Sequence, residues 1–413
     1  MNLLYNILIT SYGFLIKIAS LFGHKKANEI SKGRTEISEK ISQISKSDKV
    51  IWFHAASSGE FEQAKPLIEK LKNSYKNHKI VVSFYSPSGY NAIKNYTLAD
   101  IICYLPLDTK SNVKRFIDKI HPEIAIIIKY EFWPNLLSEL KKQQINTILI
   151  SGIFRKKQSF FKWYGYFMRN KLSAFNHFFI QNEASKKLLS VIGFENTTLA
   201  GDTRFDRVYD ILKQNNTLDY ISDFKDDIYT VVAGSTWKED EKLLVNYINN
   251  HASVNEKFIV VPHNINEKQI KELQKSINKK TILYSEKELG NLSEHQVFII
   301  DTIGLLTKIY SYADVAYVGG GLATGLHNIL EPATFGIPII FGNKKFEKFQ
   351  EAVDLLKENA AISIGNQNEL SEIFSKLKEN KLLRTQMGAN SNRYVENNTG
   401  ATKSIIDYIK NTL

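Results

Sequence analysis

From about residue 49 onward, two patterns of apolar residues alternate along this chain. Short runs are apolar at nearly every position, as in Ile124-Ala125-Ile126-Ile127-Ile128, and between them lie stretches such as 62–72 and 111–120 whose charges keep to one helical face. A run with no polar side suits a strand covered on both faces, so the alternation predicts parallel sheets with helices above and below. In the first half the predicted strands are 49–54, 79–85, 101–105, 124–129, 147–151 and 178–181. In the second they are 229–233, 257–261, 281–284, 297–300, 315–318 and 337–341. Two doubly wound α/β domains follow, 31–208 and 229–400, joined by a polar connection at 209–228 that is poor in apolar periodicity. A carboxyl-terminal helix at 401–413 has an apolar face able to dock on the first domain. Such a pair is expected to bind ligands in a cleft at the carboxyl ends of its strands.

Residues 1–30 break the pattern. The stretch 3–22 is apolar except for Asn6, Thr10, Gly13, Lys17 and Ser20, which recur at intervals of four and three and draw one narrow polar stripe down a helix. Lys25, Lys26, Lys32 and Arg34 follow the apolar run, whereas a cleaved export signal carries its positive charge in front. A helix that lies in, or obliquely enters, a cytoplasmic membrane leaflet is the expectation.

Charge narrows the class of partner. The chain has 54 Lys and Arg against 43 Asp and Glu, a net +11, and from Leu140 to Asn182 no acidic residue occurs among eight cations. That field suits nucleic acid, an anionic membrane or a phosphorylated substrate alike. Within it, Phe160, Phe161, Trp163, Tyr164, Tyr166, Phe167 and Met168 interleave with Arg155, Lys156, Lys157, Lys162 and Arg169, a mixture suited to a membrane interface. The single cysteine, Cys103, excludes an intramolecular disulfide framework and favours a reducing compartment.

Four loops at predicted strand ends carry residues fit for chemistry. In His54-Ala55-Ala56-Ser57-Ser58-Gly59-Glu60, the spacing Ser57-x-x-Glu60 fits both a capping box and a general base at a helix start. Glu131, in Lys129-Tyr130-Glu131-Phe132-Trp133-Pro134-Asn135, emerges at the carboxyl end of the most apolar strand. Ala233-Gly234-Ser235-Thr236 repeats a strand-to-helix loop with small residues, but is neither a Walker loop nor Gly-x-Gly-x-x-Gly. The stretch from Tyr317 to Ala333 holds Gly319-Gly320-Gly321, then Thr324, and places Asn328 and Glu331 three apart, on one face of the expected helix. A ribose diol could bond to such a carboxylate, which suggests a nucleotide-sugar site. His54, His263 and His327 are isolated in sequence, with no metal-ligand spacing, so no metal is expected.

Taken in order, these motifs resemble the 3-deoxy-D-manno-octulosonic acid (Kdo) transferases. The resemblance also includes Ser86-Pro87-Ser88-Gly89, Tyr104-Leu105-Pro106-Leu107-Asp108, Gly201-Asp202-Thr203-Arg204-Phe205-Asp206 and His327-Asn328-Ile329-Leu330-Glu331-Pro332-Ala333. It implies a GT-B fold of two Rossmann-like domains facing a cleft, with an amino-terminal acceptor domain and a carboxyl-terminal domain for the CMP-sugar. The implied reaction moves Kdo from CMP-Kdo to the 6′-hydroxyl of a lipid A precursor (lipid IVA), without metal or other cofactor. The implied setting is the cytoplasmic face of the inner membrane, and nucleic acid is not an implied partner.

Residue by residue, the resemblance implies Glu60 as catalytic base and Glu131 as second active-site acid. Donor binding falls to Gly234, Ser235, Thr236, Pro262, His263, Ile303, Gly304, Asn328 and Glu331. The acceptor falls to Ser57, Ser58, Gly59, Ser86 and Ser88, with Arg155, Lys156, Lys157 and Lys162 for its phosphates. The chain departs from the family pattern at Pro262-His263-Asn264-Ile265-Asn266, where an arginine is usual, and at Ser151-Gly152-Ile153, which leaves Arg155 as the replacement for a second arginine. Two other readings compete. One is a GT-B enzyme using a UDP-sugar, such as a lipid A disaccharide synthase or an epimerase, and the other is a basic membrane-bound scaffold without catalysis.

Overall fold

The computed structural model describes residues 1–413 apart from Thr324, which lies outside the described residues although it belongs to the glycine-rich stretch. The chain divides into two compact units, Met1–Arg207 with Thr399–Leu413, and Val208–Asn398.

The first unit is built on seven parallel strands: β1 (Lys49–Ala55), β2 (His78–Phe84), β3 (Ile101–Tyr104), β4 (Ile124–Ile128), β5 (Asn146–Gly152), β6 (His177–Ile180) and β7 (Thr197–Leu199). Their order is β3-β2-β1-β4-β5-β6-β7. Every residue of β4 is buried, as its all-apolar run requires. The order reverses between β1 and β4, which pair in parallel from Ile51–Ile124 to His54–Ile127. At such a switch point the loops leaving the two strands diverge to opposite faces and open a crevice. Glu60 follows β1 and Glu131 follows β4.

The second unit repeats the plan with β8 (Tyr229–Thr236), β9 (Glu256–Pro262), β10 (Thr281–Leu283), β11 (Val297–Ile299), β12 (Val315–Val318), β13 (Ile339–Gly342) and β14 (Ala361–Ile364). Here the order is β10-β11-β9-β8-β12-β13-β14, and the switch falls between β8 and β12. β8 ends in Ala233-Gly234-Ser235-Thr236, and the glycine-rich stretch leaves β12.

Several elements differ from the sequence expectation. β7 and β14 were not expected; each is a short strand at the edge of its sheet, and neither is buried along its whole length. β8 runs on through Thr236 with a register shift after Gly234, so the small residues end a strand instead of forming a loop. Segment 209–228, expected as a connection, carries helix Asp219–Lys225, whose Ile221 and Phe224 are fully buried in the second unit. The glycine-rich stretch leads into a helix of only Leu330–Thr334, so Asn328 precedes the helix and does not share a helical face with Glu331.

The carboxyl-terminal helix Ala401–Lys410 lays Ile405, Ile406 and Ile409 into the first unit's core. Asp206 caps it by accepting from the N–H groups of Gly400 (2.6 Å) and Thr402 (2.7 Å) and from Thr402 Oγ1 (2.8 Å).

The amino-terminal helix Asn2–Leu21 buries Ile9 and exposes Leu3, Leu4, Ile7, Leu8, Phe14 and Leu15. By length and composition it could cross a membrane. A polar seam ties it to the sheet's functional rim. Tyr5 OH donates to Asp108 Oδ2 at 2.7 Å, Asn135 Nδ2 donates to Asn6 Oδ1 at 2.8 Å, and Tyr85 OH donates to Tyr12 OH at 3.0 Å. Gly13 permits the close approach, because a Cβ there would stand 2.3 Å from Leu107 Cδ2.

Candidate active site

Ser57 caps helix Ser58–Ser74, its Oγ accepting from the Glu60 N–H at 3.4 Å, while Glu60 Oε2 reaches back to accept from Ala56 N–H at 2.6 Å. The serine caps as expected, but the carboxylate reaches one residue beyond the cap, to Ala56, so the capping box is not closed at Ser57, and the second Glu60 oxygen is left for chemistry. Burial lifts the Glu60 carboxyl above the usual carboxylate range. The Ala56 N–H opposes that rise, and the nearby charge of Glu131 adds to it. A base shifted upward in this way holds a proton more readily near neutral pH.

Glu131 has the opposite balance. Burial pushes its carboxyl up, but His54 and the Trp133 indole outweigh burial and hold it below the usual range. Its Oε2 lies 3.1 Å from His54 Nε2 and accepts from Trp133 Nε1 at 2.7 Å. His54 is fully buried on β1. Its Nδ1 faces Ser83 Oγ at 2.9 Å and the Ser83 carbonyl at 3.0 Å, and Trp52 Nε1 donates to the same Ser83 Oγ at 2.9 Å. An ionised Glu131 requires the proton on Nε2, and the two Ser83 oxygens beside Nδ1 fix the orientation of the ring. The chain Trp52, Ser83, His54, Glu131, Trp133 thus holds one acid of the pair charged, and that charge helps raise the other. Two titratable groups pushed in opposite directions mark a functional site.

The remaining residues assigned to the acceptor lie in the same unit. Ser86 caps helix Pro87–Ile93, accepting from Gly89 N–H at 3.1 Å, and sits 3.2 Å from Ser88 Oγ. Backbone atoms of Ser57 lie within 3.1 Å of where a Gly89 Cβ would stand, so the two hydroxyl-bearing loops are neighbours. Ser58 and Gly59 open the Glu60 helix. Arg155 stacks over Tyr130, 5.2 Å from the ring centre, and Tyr130 is close enough to Glu60 to feel its charge. Lys156 and Lys157 are exposed and Lys162 is half-buried. Of the interleaved aromatics, Phe160 is buried, whereas Trp163, Tyr164 and Tyr166 face solvent at 90%, 55% and 69% exposure, so part of this stretch is core and part is surface.

In the second unit Ser235 has a left-handed backbone (φ +52°), which turns the chain between Gly234 and Thr236. Two glycines make the local packing possible. A Cβ on Gly234 would meet Tyr310 OH at 2.1 Å, and one on Gly319 would meet the Ser235 carbonyl at 2.3 Å. Asp240, fully buried, joins the two loops: Oδ2 accepts from the N–H groups of Trp237 (2.9 Å) and Gly320 (2.8 Å), and Oδ1 from Tyr317 OH (2.8 Å).

Beside them His263 stacks on both Trp237 (4.8 Å between ring centres) and His327 (4.4 Å). Trp237 Nε1 donates to His327 Nε2 at 2.8 Å, so His327 must be neutral there, in line with burial and the adjacent His263 pushing it down to about 4. Glu331 accepts from Thr307 Oγ1 (2.8 Å) and Asn328 Nδ2 (3.0 Å), and Asn328 Oδ1 accepts from Leu330 N–H (3.1 Å). Ile303 is 82% exposed and Gly304 takes φ +89°, which presents an apolar side chain at a turn after β11. Pro262 and Thr236 share the wall of a cavity of about 300 Å³.

Sequence reasoning missed Ser83, Trp237, Asp240 and Thr307, and treated His54 and His327 only as unsuited to metal. The nearest signal was position: His54 lies on a strand whose exit loop carries the candidate base.

Residues 32–207, nearly the whole first unit before its carboxyl-terminal helix, match the family described as 3-deoxy-D-manno-octulosonic-acid transferase (kdotransferase). The first unit therefore carries a Kdo transferase domain, and the chain is similar to Kdo transferases along most of its length. Its relatives include the Kdo transferase of Haemophilus influenzae, 27% identical over 378 residues that cover 87% of this chain and 86% of that one. Another is a bifunctional glycosyltransferase/methyltransferase of Fusobacterium nucleatum, 30% identical over 389 residues, 88% of this chain. The match spans 58% of the length of that larger protein. Among solved structures, UDP-GlcNAc 2-epimerase from Neisseria meningitidis aligns with a TM-score of 0.59 and 15% identity, covering 88% of this chain and all of that one. MurG of Acinetobacter baumannii aligns at 0.56 and 12%, covering 88% and 99%. These likenesses place the chain in the GT-B class by fold, with one Rossmann-like sheet in each unit. The relatives named above are transferases, which favours an enzyme over the scaffold reading.

Proposed function

We propose that this chain is an inverting glycosyltransferase that moves Kdo from CMP-Kdo to the 6′-hydroxyl of a lipid A precursor at the cytoplasmic face of the inner membrane. The observation that carries this reading is the acid pair at the switch point of the first sheet, with Glu60 raised and Glu131 held ionised by His54 and Trp133. Glu60 takes the proton of the attacking hydroxyl, and the hydroxyl oxygen forms the new bond to the anomeric carbon of Kdo. The bond from that carbon to the CMP phosphate oxygen breaks, its electron pair leaves with CMP, and the centre inverts. Glu131 supplies negative charge beside the oxocarbenium-like transition state. Arg155, Lys156, Lys157 and Lys162 meet the acceptor's phosphates, with Ser57, Ser58, Gly59, Ser86 and Ser88 about its sugar.

On the donor side, Asn328 and Glu331 serve the ribose, Ile303 and Gly304 the base, and Gly234, Ser235, Thr236, Pro262 and His263 the sugar phosphate. Helix Lys238–Asn250 opens with Glu239, Asp240 and Glu241, so its end does not suit a phosphate. The Ser235 hydroxyl and nearby backbone N–H groups take that part.

The test is mass spectrometry of a tetraacylated lipid A precursor incubated with CMP-Kdo and the protein. A mass gain of one or more Kdo units is expected; no gain with CMP-Kdo, together with transfer from a UDP-sugar, refutes the proposal. The resemblance to UDP-sugar enzymes in fold favours that second reading, and competition between CMP and UDP for the protein separates the two.

A further inference from the structure

Besides the acid pair, the first unit contains a cavity of about 610 Å³ whose walls come from the amino-terminal helix, helices Lys25–Thr35, Ile37–Ser42 and Lys110–Ile120, and the loop after β3. None of its lining residues belongs to the candidate catalytic or substrate-binding set. Phe14, Ile37, Ile41 and Phe116 give it apolar walls. Its only charged lining residues are Lys17, Arg34, Arg115 and Lys119, all cations, with no Asp or Glu among the described residues that line it.

These cations have neutral partners where partners are seen. Arg115 Nη2 donates to Asn112 Oδ1 at 2.7 Å, Lys119 Nζ to the Ile44 carbonyl at 2.7 Å, and Arg34 Nε to the Leu105 carbonyl at 3.4 Å. Arg34 Nη2 is buried and has no hydrogen-bond partner. The Arg34 guanidinium also lies over the Tyr85 ring, 5.4 Å from its centre, so its contacts leave its positive charge unneutralised.

An apolar chamber whose charged lining residues are all cations matches a molecule with an alkyl chain and an anionic head. The helix forming one wall exposes Leu3, Leu4, Ile7 and Leu8 on its outer side, so the chamber adjoins the surface best suited to a bilayer. We propose that this cavity binds the acyl chain of an anionic phospholipid, with its phosphate held by Arg34 and the neighbouring cations. The site is independent of the transfer reaction and of the residues assigned to it.

The test uses short-chain dihexanoyl phosphatidylglycerol as monomers, titrated into the full chain and followed by native mass spectrometry. Saturable one-to-one binding is expected, at least tenfold tighter than for dihexanoyl phosphatidylcholine or inorganic phosphate. Arg34→Gln should weaken it at least tenfold, and Ser31→Phe, which fills the chamber from helix Lys25–Thr35, should abolish it. Circular dichroism melting curves confirm that each variant is folded; the Arg34 variant, which keeps chamber volume, tests the site even if the larger side chain is not tolerated. Absent or non-saturable binding, equal affinity for inorganic phosphate, or binding unchanged in the folded Arg34 variant overturns the proposal. Competitive displacement by the tetraacylated acceptor, with a raised acceptor KM in Arg34→Gln, also overturns it and assigns the chamber to an acceptor tail.

Discussion

Replacing Glu60 separates its two jobs. In Glu60→Gln the amide oxygen can still accept from Ala56 N–H, now 2.6 Å from Oε2, while the proton acceptor is gone. Loss of a positioned general base lowers turnover by about 10²- to 10⁴-fold. Stability should move the other way. The Glu60 carboxyl is raised in the folded chain, so its favourable contribution is complete below the unfolded pKa and is lost as pH rises through the folded value. At pH 7.5 a neutral glutamine avoids burying charge near Glu131, and the variant should be at least as stable as the parent. Glu60→Ala loses the bond from Ala56 N–H as well, at a cost of about 1 kcal/mol. Transfer rates by mass spectrometry and urea unfolding at pH 5.5 and 7.5 give both quantities. The catalytic assignment fails if the glutamine variant keeps near-parental turnover, or if both variants lose activity only in proportion to the fraction unfolded.

Asp108 caps helix Pro134–Lys142 by accepting from the N–H groups of Asn135 and Leu136, and burial pushes its carboxyl up to about 6. Its contribution to stability is therefore present below about pH 4 and lost as pH rises to 6; urea midpoints should show about 2 kcal/mol lost between pH 4.5 and 7, and Asp108→Asn should flatten that slope. Glu331→Ala removes the partner of Thr307 and Asn328 and should raise the donor KM with little change in acceptor KM, as initial-rate kinetics will show. Changing Lys156, Lys157 and Lys162 together to Gln should weaken sedimentation with anionic liposomes and raise the acceptor KM, an effect that shrinks at high salt. Parental values at low salt would move the acceptor phosphates elsewhere in the first unit.

The architecture was legible wherever burial left one possibility. β4 reads as apolar at all five positions because both its faces are covered, and the two strand-to-loop exits beside each switch point follow from the same runs. The edge strands β7 and β14 were not legible, since a half-exposed strand of three or four residues has no uniform pattern. Glu60 and Glu131 were visible as acids at strand exits, but their opposite titration was not. It depends on burial and on His54 beside Glu131, and the Ser83 that orients this histidine lies on β2, where a buried serine inside an apolar strand carries no sign of it. Asn328 and Glu331 were paired correctly as neighbours for the wrong reason, because the side chains meet across a helix entry and not along a helix.

The seam along the amino-terminal helix has a practical corollary. Tyr12 meets Tyr85, whose ring stacks at 4.7 Å on Trp133, the indole that donates to Glu131, while Tyr5 and Asn6 join Asp108 and Asn135 at the start of the next helix. Removing residues 1–22 to obtain a more soluble protein would therefore also strip polar partners from the rim that holds the acid pair. Detergent and lipid conditions acting on this helix become variables of the kinetics as well as of solubility, and assays of the truncated and the full chain would not measure the same catalyst.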